Sequence, residues 1–402
     1  MKMNEELLIF LGILLFWASL YVIHRAIGDK FKKEISIGPF YLYVKTSKLN
    51  RLFEDFSKRN SQKISKILSI GVGTCVIAMV YAIYILSAGV YNLITLRGAP
   101  AVMPILPGIT VSIETFMKMI PAITIVVLLH ELFHKIAFHI GKLRIKSIGF
   151  GIFLMFPFAF VEPDEEKFKK SGHFFKMKAL AAGSFINLIT AAILAPPVVY
   201  PPIYDGCIQL LYGPPAGLIV VGIEKNSPID NFTHIKVGDI IVKIDSSRIR
   251  TIRDLDELDL PPKKNITISY YRAEDLAKGE LIERSEWLIT ESDPLNKSRG
   301  VIGILSYSHR LYPLMTYYPP RISGLSFYLP KILFEVLFWA FMLSFSVGIF
   351  NMLPIYPLDG YEFLKSLLEA LKLDEELRRT ALYGISGVSL FLLMMNLLAA
   401  LW

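Results

Sequence analysis

Six long apolar runs constrain this 402-residue chain more than any other feature of its sequence. A bilayer core is about 30 Å thick, so a helix that crosses it needs about 20 apolar residues. Charged residues make up 19% of the chain, against about 25% in soluble domains, which excludes a typical soluble enzyme and a disordered chain. The pattern predicts a polytopic α-helical membrane protein with about six transmembrane helices. The runs lie at residues 7–23, 67–87, 120–140, 179–200, 332–353 and 381–401.

The charges of the loops predict how the chain is oriented in the membrane. Loops 24–66 and 141–178 carry 11 and 8 Lys/Arg against 4 Asp/Glu each, whereas loop 88–118 carries only 2 Lys/Arg. Lys and Arg accumulate in short cytoplasmic loops. We therefore expect loops 24–66 and 141–178 inside the cell, and loop 88–118, residues 201–330 and both termini outside. The run at 7–23 follows a segment that is not basic, and no small-residue cleavage site comes after it. We interpret it as a retained helix, with a signal peptide as the alternative.

The net charge of +8 comes without any tract of Lys and Arg interleaved with aromatic residues. This charge favours a basic face near anionic lipid, so we expect the lipid bilayer and not nucleic acid as a partner. The two cysteines, Cys75 and Cys207, lie in an apolar run and in a polar region, so we expect no disulfide framework.

Residues 201–330 differ from the apolar runs because they contain short segments typical of strands. We therefore predict an N-terminal membrane region at 1–200, an extracytoplasmic α+β domain at 201–310 and a C-terminal membrane region at 311–402. The expected strands lie at residues 218–223, 240–244, 266–271, 286–290 and 301–305.

The third run contains the motif H-E-x-x-H, formed by His130, Glu131 and His134. Residues four apart share one face of a helix, so both imidazoles can bind one metal ion, and Glu131 can act as a general base. Ionisable residues at membrane depth are costly and usually functional. A catalytic Zn²⁺ needs a third protein ligand, and Asp359 is the candidate. It follows the fifth run, where prolines break the helix and Gly360 permits a turn.

These motifs together resemble the site-2 protease family of intramembrane zinc metalloproteases. The carriers are H-E-x-x-H, the segment NMLPIYPLDG at 351–360, which matches N-x-x-P-x-x-P-L-D-G, and GSFIN at 183–187, which matches G-x-x-x-N. The resemblance implies Zn²⁺ bound by His130, His134 and Asp359, with Glu131 activating water. It also implies substrate-binding roles for Asn187, Asn351, Pro354 and Pro357. The alternative for Asn187 is a polar helix–helix contact, and the alternative for Asn351 is a cap where the helix breaks.

Two further segments resemble parts of the same family. The stretch 217–249, with Ser227-Pro228 before Val237-Gly238-Asp239, resembles a PDZ domain, which binds extended chain ends by strand addition. A small β domain without a ligand is the alternative. The apolar, Gly- and Pro-interrupted stretch 145–170 resembles a re-entrant β-hairpin that offers an edge strand to the substrate, with an interfacial loop as the alternative.

The sequence thus indicates an intramembrane zinc endopeptidase of the cell membrane, with its active site toward the cytoplasmic side. Its expected substrates are transmembrane segments, cleaved in regulated intramembrane proteolysis or in clearance of signal-peptide remnants. The alternative is a membrane receptor or scaffold that binds peptides through the PDZ domain and carries a structural metal. A structural site should have a fourth ligand, and Cys75 has no ligand partner at helical spacing. A transporter should show repeated halves, and no repeat is visible.

Overall fold

The chain divides into two compact units, unit 1 (Met1–Ala192 and Trp339–Trp402) and unit 2 (Ile193–Phe338). The second unit is therefore inserted into the sequence of the first. The computed structural model describes residues 12, 14–22, 35–46, 57, 59–95, 98, 100–294, 296–304, 311, 313 and 315–401.

Long helices dominate the described part of the chain. The helices are α1 (Ser61–Thr95), α2 (Ile113–Ile140), α3 (Glu165–Lys169), α4 (His173–Val199), α5 (Pro201–Ile208), α6 (Pro228–Phe232), α7 (Ile252–Asp256), α8 (Ala273–Ala277), α9 (Leu329–Phe350), α10 (Asp359–Ala370) and α11 (Glu375–Leu401). Among the described residues, α1, α2, α4, α9 and α11 are long and apolar enough to cross a membrane. They correspond to five of the six predicted spans. The other predicted span, 7–23, lies partly outside the described residues, and residues 14–22 of it are helical.

The strands are β1 (Ile35–Ile37), β2 (Tyr41–Thr46), β3 (Ile145–Phe153), β4 (Phe156–Pro163), β5 (Gly217–Ile219), β6 (Ile240–Ile244), β7 (Ser247–Arg248), β8 (Asn265–Tyr271), β9 (Glu283–Ile289), β10 (Glu291–Ser292), β11 (Gly300–Val301) and β12 (Thr316–Tyr317). In unit 1, β1 to β4 form one antiparallel sheet in sequence order. Strands β3 and β4 form a hairpin within the stretch 145–170, and β4 packs along α2, where the Phe116 and Phe156 rings lie 5.0 Å apart.

Small residues let α4 pack closely against its neighbours in unit 1. Ala179, Ala181 and Ala182 are fully buried, and the Cys75 thiol of α1 donates to Ala181 O at 3.6 Å. Close packing of small residues is the usual way in which membrane helices associate, because lipid supplies no hydrophobic driving force. Helix α4 therefore packs beside α1, and its small residues form one face of the core.

An asparagine links α11 to α1 in the same unit. The Asn396 amide is fully buried and donates from Nδ2 to Leu86 O at 3.0 Å, while its Oδ1 accepts from the Ala101 backbone N–H at 3.0 Å. A polar side chain in a membrane helix is tolerated when its hydrogen bonds are made within the protein. Asn396 is thus a structural asparagine.

Unit 2 is built on an antiparallel sheet with the strand order β12-β5-β6-β8-β9, and β7 pairs with β6. Leu218, Ile241, Ile268 and Tyr270 lie in its buried core, together with Ile229 of α6. The short strands β10 and β11 pair with each other outside this sheet.

Glu286 on β9 bonds both the neighbouring strand β8 and the segment that contains His234. Its Oε2 accepts from the His234 backbone N–H at 2.6 Å, and its Oε1 accepts from the Tyr270 hydroxyl at 2.8 Å. Partial burial opposes ionisation of the carboxyl, but these two donors outweigh it and hold the pKa of Glu286 below its ordinary value. A carboxyl with a lowered folded-state pKa stabilises the fold above its unfolded pKa, and the stabilisation is lost as the pH falls through the folded pKa.

We expect Glu286→Gln to destabilise unit 2 by about 1 to 2 kcal/mol at pH 7, the usual loss for hydrogen bonds to a charged group. The amides of β8 and β9 should then exchange about 5 to 30 times faster in hydrogen-exchange mass spectrometry of the full chain. The difference from wild type should shrink as the pH falls through the lowered pKa of Glu286. Glu291→Gln, on the exposed strand β10, is the matched control. Equal exchange in wild type and Glu286→Gln at pH 7 would contradict this account.

Candidate metal centre

His130 and His134 occupy successive turns of α2 and point to one side of it. Both side chains are buried, and their Nε2 atoms lie 3.1 Å apart. The helix that carries them begins at Ile113, and the hydroxyl of the preceding Ser112 caps it by accepting from the Thr115 backbone N–H at 3.1 Å. The spacing of four residues therefore brings both ring nitrogens together, as the sequence predicts.

Asp359 reaches the two histidines from the first residue of α10. Its Oδ2 lies 3.1 Å from His134 Nε2 and 3.4 Å from His130 Nε2. The loop before α10 is closed by the Gly360 N–H, which donates to Asn351 O at 3.0 Å. A Cβ on Gly360 would collide with the backbone of Met352, so only glycine fits this turn. The loop thus returns the chain to the place where α9 ends and delivers the carboxylate to the histidines.

The three donor atoms suit a zinc ion. Zinc bonds of about 2.0 to 2.1 Å in tetrahedral geometry place ligand atoms about 3.3 Å apart. The observed separations of 3.1, 3.1 and 3.4 Å match this spacing. Two imidazoles and one carboxylate are also a donor set that zinc prefers. Among the described residues, this group contains three protein donors, the number typical of a catalytic zinc site.

Helix α4 supplies the partners and the space around the histidine rings. His134 Nδ1 donates to Ala179 O at 2.8 Å, which leaves the Nε2 lone pair free. Gly183 lies against both rings, and a Cβ built there would be 2.5 Å from His130 Nε2 and closer still to His134 Nε2. Asn187 is fully buried, with its Nδ2 3.1 Å from His130 Nδ1. The sequence predicted the three residues that meet here and singled out Gly183 only as part of a motif, whereas it missed the contact of Ala179.

A positional signal in the sequence points to this face of α4. Ala179, Gly183 and Asn187 follow one another at intervals of four residues, so they lie on one side of the helix. Two small residues and one amide in this register mark a surface that another element approaches closely. Together with the H-E-x-x-H motif, this pattern could have predicted that α4 packs against the site.

The remaining predicted site residues lie at different distances from the metal donors. Asn351 Nδ2 donates to Asp359 Oδ2 at 2.6 Å and lies 3.1 Å from His130 Nε2. Pro354 is buried in the loop before α10, whereas Pro357 is exposed. The structure thus brings Asn351 and Asn187 to the donor cluster, while the two prolines belong to the loop that positions Asp359.

Glu131 follows His130 on α2 and faces the hairpin. Its carboxyl lies close to the Val161 backbone of β4. In the part of the chain that the structure describes, β4 pairs on one side only, with β3. The carboxylate of the H-E-x-x-H motif therefore lies near the edge strand of the sheet, and no sequence signal identified Val161 as its neighbour.

Comparison with known proteins relates this chain to one protein family and to other individual proteins. Residues 118–396, a segment that contains every residue of the cluster, match the family described as peptidase family M50. A protein of Methanocaldococcus jannaschii described as uncharacterized is 24% identical over 274 residues, covering 67% of this chain and 60% of that protein. The chain thus matches less than two thirds of that relative's length.

Proposed function

We propose that this chain, which belongs to peptidase family M50, the site-2-type intramembrane metalloproteases, binds Zn²⁺ through His130, His134 and Asp359 and uses Glu131 as the general base of peptide hydrolysis. The resemblance to the site-2 protease family is thereby confirmed, and the spanning helices make the chain a multi-pass membrane protein. One observation carries the proposal: the donor atoms of two buried imidazoles and one partly buried carboxylate are separated by the distances expected between ligands of a tetrahedral zinc ion.

The residues around the cluster divide the chemistry between them. A bound zinc ion supplies a Lewis acid and lowers the pKa of its water toward 7. Glu131 takes the proton from the attacking water and passes it to the nitrogen of the leaving amine as the peptide C–N bond breaks. Asn351 presents its Nδ2 donor beside the cluster, where it can hold the carbonyl oxygen of the scissile peptide as negative charge develops.

The hairpin offers a means of holding the substrate in extended form. A transmembrane helix hides its carbonyl groups in intrahelical hydrogen bonds, so cleavage requires local unwinding. The free edge of β4 can replace those bonds by strand addition, and the Val161 backbone of this strand lies close to Glu131, the proposed general base. We therefore propose a re-entrant hairpin that presents the unwound segment of the substrate to the zinc site.

The proposed substrates are transmembrane segments of membrane proteins, in regulated intramembrane proteolysis or in clearance of signal-peptide remnants. The loop charges support an orientation with the site toward the cytoplasm and with both termini and a PDZ-like domain at 201–310 outside. That domain would bind a peptide at the edge of its sheet. In this proposal, residues 1–200 and 311–402 form the N-terminal and C-terminal membrane regions. The scaffold alternative receives no support, because a structural zinc site would have four protein ligands and the described group has three.

Metal removal tests the proposed function. The purified full-length protein, in detergent or liposomes, is incubated with a panel of single-span membrane segments before and after zinc is stripped with a chelator. We expect cleavage to stop in the metal-free protein and to return when one equivalent of Zn²⁺ is added back. Product masses locate the cleaved bond. Undiminished cleavage by protein shown to be zinc-free by atomic absorption would rule out the zinc mechanism.

A further inference from the structure

The role of Asn187 follows from a conflict between its hydrogen bond and metal binding. The side chain is fully buried in α4, its Nδ2 lies 3.1 Å from His130 Nδ1, and its Oδ1 has no hydrogen-bond partner among the described residues. An Nδ2 donor in this position requires a bare Nδ1, so the proton of a neutral imidazole would sit on Nε2. That tautomer cannot bind a metal through Nε2.

The metal donors require the opposite tautomer. His130 Nε2 is the atom that faces His134 Nε2 at 3.1 Å and Asp359 Oδ2 at 3.4 Å, so it must keep its lone pair for the metal. The proton of a neutral His130 then resides on Nδ1, and two donors would face each other across 3.1 Å. Half a turn of the Asn187 amide exchanges Oδ1 and Nδ2 with almost no change of shape. The exchange supplies Nδ1 with an acceptor and the orphaned Oδ1 with a donor.

The other histidine shows the same arrangement already in place. His134 Nδ1 donates to Ala179 O at 2.8 Å, so its Nε2 is free for the metal. Ala179 and Asn187 both belong to α4, and their order is reversed relative to His134 and His130, as antiparallel helices require. Helix α4 therefore provides one acceptor for each histidine ring, a backbone carbonyl for one and an amide side chain for the other.

We propose that Asn187 is a positioning residue whose Oδ1 accepts the Nδ1–H of His130 and fixes the tautomer that binds zinc. Its complete burial separates it from the substrate, so this role replaces the substrate contact implied by the family motif. Acceptors behind zinc-bound histidines typically raise metal affinity 10- to 100-fold. The inference rests on the proposed function, since it presupposes that the histidines bind zinc.

Zinc affinity tests this role without measuring activity. The dissociation constant of the full-length protein is measured by competition with a chromophoric chelator, and Co²⁺ absorption reports the ligand geometry. We expect Asn187→Leu and Asn187→Ala to raise the zinc dissociation constant about 10- to 100-fold. Asn187→Asp should stay within about threefold of wild type, because a carboxylate accepts the same hydrogen bond but cannot donate one. A donor role for Asn187 would instead make the Asp variant as weak as the Leu variant.

The matched control is Asn396→Leu, which removes an equally buried amide from α11 outside the donor cluster. It should bind zinc like wild type, which separates loss of a ligand partner from general loosening of the helices. Wild-type affinity in both Asn187→Leu and Asn187→Ala, or equal weakening in Asn187→Asp, would overturn the positioning role alone. A wild-type protein that binds no zinc would overturn the proposed function as well, so the two failures are distinguishable.

Discussion

Glu131→Gln is expected to reduce cleavage of a membrane substrate by about 10²- to 10⁴-fold, the usual contribution of a general base. Zinc should stay bound, because the three donors of the cluster are His130, His134 and Asp359. The glutamine amide keeps the size of the side chain but cannot take a proton from water. The measurement pairs single-turnover cleavage with zinc content, so that loss of the base is distinguished from loss of the metal.

Glu114→Gln supplies the control for this substitution, since it makes the same chemical change on the same helix at an exposed position. It should cleave at the wild-type rate. If Glu131→Gln retained full activity with its zinc, Glu131 would not be the base. If it lost zinc, the carboxylate would have to contribute to binding the metal.

The sequence located the spanning helices well because apolar length is a direct consequence of bilayer thickness. It was less able to place their ends. The predicted run 332–353 continues past the end of α9 at Phe350, because Met352 and Leu353 are buried in the turn that follows. Apolar residues report burial and not helical conformation, so a buried turn reads like a continuation of the helix.

The sheet of unit 1 was predicted only in part. The stretch 145–170 resembles a re-entrant hairpin, and β3 and β4 do pair within it, although its re-entry into the membrane stays a prediction. Strands β1 and β2 lie within what we expected to be a cytoplasmic loop, 24–66. Strands of three and six residues with little alternation give a weak periodic signal. Their formation depends on pairing with β3, which is more than 100 residues away in the chain and leaves no local trace.

The candidate site likewise contains residues that their side-chain chemistry identifies in the sequence and contacts that only packing produces. The sequence singled out His130, Glu131, His134 and Asp359 as candidates because only a few residue types can bind zinc and move protons. The Val161 amide and the Ala179 carbonyl belong to the backbone, which every residue shares, so no residue type could reveal them.

Gly183→Ala tests whether the two histidine rings need the space that the absent side chain of Gly183 leaves beside them. The added Cβ would lie 2.5 Å from His130 Nε2 and closer to His134 Nε2, far inside van der Waals contact, so the rings must move away from their positions around the metal. A displacement of about 1 Å at a catalytic centre typically costs about 100-fold in rate. We expect at least that loss of cleavage, together with a comparable loss of zinc affinity. Alanine favours a helix over glycine by about 1 kcal/mol, so a weakened α4 cannot be the cause.

The matched control for this substitution is Gly73→Ala in α1, where no atom lies within 4 Å of an added Cβ. Both variants add one methyl group to a spanning helix, but only the first places it in the metal site. Gly73→Ala should therefore retain wild-type zinc affinity and cleavage. Normal zinc binding in Gly183→Ala would mean that α4 can retreat from the histidines, and the close approach of this helix would then be dispensable for the site. Loss of zinc with an unchanged helical circular dichroism spectrum is the expected result, because the substitution removes room for the ligands while leaving the helices intact.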